Sequence, residues 1–134
     1  MIRVTESDMV ESTSPALTHL TQLTLNTVYQ ARHFFTPESN GVTSELACLL
    51  HQYGLQHVQT RGYALEYRAG TPEGQHFYEN MRRTFRTALP FYRKWTRVPD
   101  DYEEIYQQAI SEMQRPNFVA TWQLLTVWGN KPLE

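Results

Sequence analysis

The chain has 134 residues, of which 40% are hydrophobic and 13% aromatic, and its formal net charge is -2. These values fit one globular domain, and they exclude a disordered chain and a strongly basic nucleic-acid-binding protein. No apolar run approaches the roughly 20 residues that a membrane-spanning helix needs. With one cysteine and therefore no internal disulfide, we predict a cytoplasmic protein with neither a membrane nor a nucleic acid as partner.

The first predicted elements are a strand and a helix. Ile2 and Val4 alternate with polar residues, which is typical of a strand. Ser14 followed by Pro15 is typical of a helix start, because serine caps the free N–H groups and proline has no N–H to satisfy. We predict that this helix runs to Phe35.

The middle of the chain contains a second helix and a second strand. An apolar i, i+3, i+4 pattern predicts a helix that is capped at Thr43 and ends at Gly54. LQHVQTRGYALEYRAG then alternates as a strand of about ten residues would. Gly62 within it indicates a bulge or a close approach of backbone.

The rest of the chain is a helical region followed by a third strand. Thr71 and Pro72 repeat the cap-and-proline start, and helices interrupted at Pro90 extend to Pro116. FVATWQLLTVW is apolar on both alternating faces, which favours a central strand with helices on both sides of the sheet.

These segments, in this order, resemble the C-terminal half of a class I S-adenosylmethionine-dependent methyltransferase of the bacterial small-molecule type. IRVTESDMVESTSPAL is similar to the family's fifth strand and the start of the next helix. LLHQYGLQHVQTRGY is similar to its last sheet-flanking helix and sixth strand, and FVATWQLLTVWGNKP to its closing strand. TPEGQHFYENMRRTFRTALPF resembles the helical lid insertion over the substrate pocket, here at about residues 71–116.

The resemblance implies a fold as well as an order of elements. We expect residues 1–134 to form a single α+β domain, a partial Rossmann-like fold of the class I methyltransferase kind. Its three-stranded mixed sheet would have the sequence order first-third-second, with the last strand antiparallel in the middle. Four or five helices would surround this sheet.

The resemblance also implies a function. The chain would be the acceptor-side and lid portion of a methyltransferase that acts on a small, apolar molecule. In the family a glycine-rich loop holds the cofactor S-adenosylmethionine, but no two glycines of this chain have G-x-G spacing. We therefore expect no cofactor-binding residue and no catalysis by this chain alone. The alternative is a non-enzymatic ligand-binding or oligomerisation module derived from that fold.

Three residues are candidates for the substrate site, and no catalytic residue is assigned. Glu6 lies with Asp8 at the carboxyl end of the first strand, where open α/β sheets bind ligands. Tyr29 and His33 end the helix that helps to roof the pocket in the family, and a histidine there could act as a general base. The alternatives are that the carboxylates cap the helix at Ser14 and that His33 is an ordinary exposed histidine.

No metal site is predicted, since the five histidines include no i, i+4 pair. Two further predictions concern partners. The first strand would have an unpaired edge where the family has its fourth strand, so we expect a homo-oligomer through that edge, or a separate N-terminal half.

The stretch from Met81 to Arg97 holds six of the 12 Lys and Arg residues among aromatic residues. Anion or nucleic-acid binding is one interpretation; a charge-paired helix surface is favoured because the next helix begins with acidic residues.

Overall fold

The computed structural model describes residues 1–34, 36–37, 39 and 41–133. These residues form four strands and five α-helices. In chain order they are β1 (Ile2–Ser7), β2 (Glu11–Ser12), α1 (Pro15–Gln30), α2 (Leu46–Gln52), β3 (Gln56–Arg68), α3 (Pro72–Thr87), α4 (Leu89–Trp95), α5 (Tyr102–Met113) and β4 (Val119–Asn130). Across the described ranges, no helix is both long enough and apolar enough to span a bilayer.

Strand β4 is the centre of the sheet. β1 and β2 pair with successive parts of one of its sides, and β3 pairs with the other side. The α+β class is confirmed, and the last strand lies antiparallel between the other two predicted strands, here β1 and β3, as expected. The predicted count of three strands, the mixed sheet and the complete order are wrong. The described sheet has four strands, every pair is antiparallel, and β2 is an additional neighbour of β4. Two residues are too few to show an alternating pattern, which is why the sequence did not predict β2.

The starts of the long helices follow from their caps. Ser14 Oγ accepts a hydrogen bond from the Leu17 N–H at 3.0 Å, and Thr71 Oγ1 accepts one from the Gly74 N–H at 3.0 Å. A 3-10 turn, Thr43–Glu45, precedes α2, so Thr43 lies inside the turn and is not the predicted cap. α1 ends at Gln30 and does not reach the predicted Phe35, which lies outside the described residues.

A buried glutamate joins the start of α1 to α5. Glu112 is 7% exposed and accepts hydrogen bonds from Ser14 Oγ at 2.8 Å, the Ala16 N–H at 3.1 Å and Gln108 Nε2 at 2.8 Å. Burial by itself raises the pKa of this carboxyl, but the hydrogen bonds outweigh burial and the pKa is lowered. The charged form of Glu112 therefore stabilises the packing of the two helices.

The main core lies between the helices and one end of the sheet. Phe77 of α3 stacks on Tyr67 of β3 with ring centroids 5.0 Å apart, and Ala120 of β4 is fully buried beneath them. We call this side of the sheet the aromatic face. Towards its other end the same face is open, and Tyr63 and Leu65 are 42% and 43% exposed.

The opposite face is covered by α2 and the segment after it. Leu46 and Leu55 are buried there, and Val127 beneath is 0% exposed. Both alternatives predicted for Gly62 are wrong, since Gly62 pairs in regular register with Leu125 and a Cβ there would meet nothing closer than the Leu124 carbonyl oxygen at 3.9 Å. The irregularity lies instead between Gln56 and Gln59.

Candidate functional site

A cleft forms where the first edge of the sheet is interrupted. β1 and β2 pair with β4 on either side of Trp122 and Gln123, so the three residues 8–10 lie opposite two. An extra residue of this kind bends the chain out of the ladder, and such bulges often lie beside functional sites. The Trp122 indole N–H donates a hydrogen bond to the Asp8 carbonyl oxygen at 2.7 Å, which fixes the bent segment to the sheet.

The cleft beside this bend has a volume of about 380 Å³, and we call it the β1 cleft. One wall comes from the end of β1 and the bend, another from the segment after α1, and Trp122 contributes from β4. Its lining combines apolar and titratable side chains: Glu6, Ser7, Asp8, Met9, His33, Phe34, Val42 and Trp122. Mostly apolar walls with a few polar groups are typical of small-molecule sites.

The turn that ends α1 brings His33 and Phe34 to the cleft. Arg32 has a φ of 64°, a left-handed conformation that costs a non-glycine residue about 1 kcal/mol. The Arg32 N–H donates to the Tyr29 carbonyl at 2.9 Å and the His33 N–H to the Val28 carbonyl at 3.0 Å. These bonds close the helix end in the Schellman manner and send the chain back towards β1.

Asp8, which lines the cleft, carries a buried polar atom of an unusual kind. Its Oδ1 is buried and has no hydrogen-bond partner among the residues that the structure describes. Buried polar oxygens are nearly always paired, since an unpaired one loses the hydrogen bonds it made to water. A ligand that donates a hydrogen bond to Oδ1 would restore this loss.

Two of the three candidate site residues meet in the β1 cleft. Glu6 and His33 both line it, and so does Asp8, which the sequence also placed at this strand end and which is the first residue of the bend. Tyr29 lies outside, in a neighbouring recess of about 430 Å³ that shares Phe34 with the cleft. A substrate-binding role for Glu6, Tyr29 and His33 stays a prediction.

The alternative that Glu6 or Asp8 caps α1 is wrong. The start of this helix is held by Ser14 and by Glu112, which reaches it from α5. His33 is exposed at the helix end, as its alternative predicted, yet it also lines the cleft.

Sequence reasoning missed the apolar wall of the cleft. Trp122 was assigned to the sheet core, and Met9 and Val42 were assigned no role. One signal was available, since an indole N–H that is half buried in a strand needs an acceptor outside the ladder. That acceptor is the Asp8 carbonyl oxygen, but only the strand register shows that it is within reach.

The described residues do not fit the family's cofactor. Close backbone approaches at glycines are filled by the chain itself: a Cβ on Gly74 would lie 1.9 Å from the Arg68 carbonyl oxygen, and one on Gly129 would lie 3.2 Å from Leu55 Cβ. Gly62 is an ordinary strand residue. None of these glycines forms a cradle for S-adenosylmethionine. Within the same described residues, no three His, Cys, Asp or Glu side chains are grouped to hold a metal ion.

Comparison of the chain with protein-family models gives no match, and comparison with curated proteins gives none either. The β1 cleft therefore has to be interpreted from its own residues.

Proposed function

We propose that the chain is the acceptor-side portion of a methyltransferase-related protein and binds a small, apolar molecule in the β1 cleft. The observation that supports this proposal is Asp8, which lines a cleft with apolar walls and whose Oδ1 atom is buried without a described partner. The proposed methyltransferase relationship rests on the resemblance of the sequence segments. Because the described residues lack a cradle for the cofactor, that site would belong to a separate N-terminal half.

The lining suggests which molecule would bind. Trp122, Phe34 and Met9 offer two aromatic rings and a thioether, which favour a flat or branched apolar body. Asp8 would accept a hydrogen bond from a hydroxyl or amine at one end of that body. His33 at the exposed rim would take the proton from this group if it became a nucleophile.

The experiment that tests the proposal follows the Trp122 indole N–H signal by nuclear magnetic resonance. This N–H donates to the Asp8 carbonyl, so a ligand in the cleft must perturb it. We expect 1-naphthol to shift this signal, and naphthalene, which has no hydroxyl group, to bind at least about tenfold more weakly, a difference of about 1.4 kcal/mol.

The matched variants are Asp8→Asn and Asp100→Asn, the second being an exposed aspartate before α5. Asp8→Asn should weaken 1-naphthol binding about tenfold, because an amide is a poorer acceptor than a carboxylate. Asp100→Asn should leave it unchanged. An unmoved Trp122 signal, or equal losses in both variants, would refute the cleft as the binding site.

Calorimetry with S-adenosylmethionine tests the other part of the proposal. We expect no binding to this chain alone. Saturable binding at micromolar concentration would show that the cofactor site lies within the chain after all.

A non-enzymatic oligomerisation module is the second candidate, and the outer edge of β1 favours it. In the part of the chain that the structure describes, β1 pairs with β4 alone, which leaves its other edge free to add a strand. Light scattering at micromolar concentration should give a dimer or larger species. A stable monomer would rule this candidate out.

A further inference from the structure

Cations dominate the surface of α3 and α4. Residues 80–99 contain six Lys and Arg residues and no Asp or Glu. Among the described residues, one of these six forms an ion pair: Arg86, whose Nη1 lies 2.9 Å from Glu103 Oε2. The predicted charge-paired helix surface is therefore wrong for the other five. Within the described ranges, the acidic start of α5 forms an ion pair with α3 only through Glu103, and the cations of α4 form none.

Two aromatic side chains of α4 also face outwards. Phe91 and Trp95 are one helical turn apart and are 36% and 42% exposed. Tyr92, between them in sequence, takes the inward position and is 1% exposed. Lys94 Nζ lies 5.4 Å from the centre of the Trp95 ring, so cation and aromatic ring form one surface.

This surface is held rigidly on the rest of the molecule. The Tyr92 hydroxyl lies 2.7 Å from Thr24 Oγ1 of α1. The Asn26 amide donates to Thr96 Oγ1 at 3.0 Å, just after α4. Both bonds fix α4 to α1, so Phe91 and Trp95 cannot bury themselves without unpacking the helix.

We propose that the α4 surface, formed by the exposed side chains of Phe91, Lys94 and Trp95 with the exposed cations Arg93 and Arg97 beside them, docks onto an anionic lipid membrane. Tryptophan and phenylalanine side chains are favourable at the boundary between headgroups and acyl chains, and neighbouring cations are attracted by anionic headgroups. This charge complementarity identifies the partner. A nucleic acid fits less well, since two rings that project from one short helix offer no groove for a strand, and the net charge of the chain is -2.

The inference goes beyond the proposed function and does not depend on it. It revises the expectation from composition that no membrane is a partner. That expectation considered membrane-spanning segments and overall charge, neither of which detects a local surface of this kind.

The test is co-sedimentation of the full chain with vesicles. We expect binding to equimolar phosphatidylcholine and phosphatidylglycerol vesicles and roughly tenfold weaker binding to phosphatidylcholine alone. The double variant Phe91→Ala, Trp95→Ala and the triple variant Arg93→Gln, Lys94→Gln, Arg97→Gln should each lose at least roughly tenfold in affinity.

The control variants remove the same side-chain types elsewhere. Tyr53→Ala with Tyr63→Ala removes two exposed aromatic rings, and Arg3→Gln, Arg61→Gln, Lys131→Gln removes three exposed cations. Both should bind vesicles as the original chain does. Equal losses in controls and α4 variants would overturn the proposal, because the attraction would then be unspecific.

A second readout begins with the unmodified protein and adds one conservative variant, which keeps an aromatic ring at the same position. Brominated lipids should quench tryptophan fluorescence on binding, and Trp95→Phe should remove this quenching while keeping affinity within about twofold. Absence of binding to the anionic vesicles, or quenching that persists in Trp95→Phe, would refute the proposal. So would tight binding of a single-stranded RNA 20-mer without vesicle binding, which would identify a nucleic-acid surface.

Discussion

The two ends of the aromatic face have similar side chains, but one end is buried and the other is exposed to solvent. At one end Tyr67 stacks under Phe77, and Ala120 is fully buried. At the other end, Tyr63 and Leu65 of the same strand are 42% and 43% exposed. Alternation assigned all three β3 residues to one face, and this is what the register shows. Which half of the face is buried depends on where α3 and α5 lie, and strand residues carry no information about that.

Loss of a ring at the covered end should have the largest effect. We expect Phe77→Ala to lower the free energy of unfolding by about 4 kcal/mol, because the ring is 4% exposed and its removal leaves a cavity. Leu65→Ala at the open end should cost less than about 1 kcal/mol. Urea unfolding measures both changes, and similar losses would mean that the open end is covered in solution.

Alanine substitutions at two glycines give a second comparison, between a close backbone contact and an open strand position. Gly74→Ala should destabilise by about 3 kcal/mol, since its Cβ would lie 1.9 Å from the Arg68 carbonyl oxygen and force α3 away from β3. Gly62→Ala places its nearest contact at 3.9 Å, from the Leu124 carbonyl oxygen. This strand alanine should be neutral or stabilise by about 0.5 kcal/mol. The melting temperatures of the two variants, compared with that of the original chain, measure both effects. An unchanged melting temperature for Gly74→Ala would contradict the close approach of α3 to β3.

The buried Glu112 should show a smaller effect with a distinctive pH dependence. Glu112→Gln should cost about 2 kcal/mol at neutral pH, the usual value of hydrogen bonds to a charged group. Because folding lowers the pKa of Glu112 below its ordinary value of 4.5, this contribution is present above pH 4.5 and is lost as the pH falls through the folded value.

The measurement is urea unfolding of both proteins between pH 7 and pH 3. The difference in stability between the original chain and Glu112→Gln should shrink on acidification. Glu104→Gln, an exposed change on the same helix, supplies the baseline. A difference that grows at low pH would mean that folding raises the pKa.

The exposed pair of Arg86 and Glu103 should have the smallest effect. Its bidentate contacts of 2.9 Å and 3.2 Å join α3 to α5 at the surface, where water and salt screen the charges. We expect Arg86→Gln to shift the urea midpoint barely beyond measurement error, and 0.5 M salt to abolish any shift. A large, salt-insensitive loss would indicate that Arg86 acts through its ring contact with Tyr106 instead.

Much of the fold was predictable because local signals decided it. Ser14 with Pro15 and Thr71 with Pro72 located two helix starts, and Gly54 takes the left-handed conformation expected at the end of α2, with φ 89°. The end of α1 was not predictable, because Arg32 adopts a conformation that normally favours glycine.

The candidate site was predictable in part. Glu6 and His33 were placed near one another by the position of a strand end and a helix end. The β1 cleft itself depends on the bend after β1 and on the bond from Trp122 to Asp8. These contacts span more than 100 residues, so local pattern could not reveal them.

The length and register of the two outer strands, β1 and β3, determine where molecules would begin to associate in concentrated protein. β3 is the longer at 13 residues, and its pairing slips between Gln56 and Gln59, where His57 has a φ of 53°. From Gln59 to Arg68 its register with β4 is unbroken. β1 has six residues in regular register before the bend at residues 8–10. Each outer edge therefore offers an unbroken stretch onto which another strand can add, and fibres should extend from both edges.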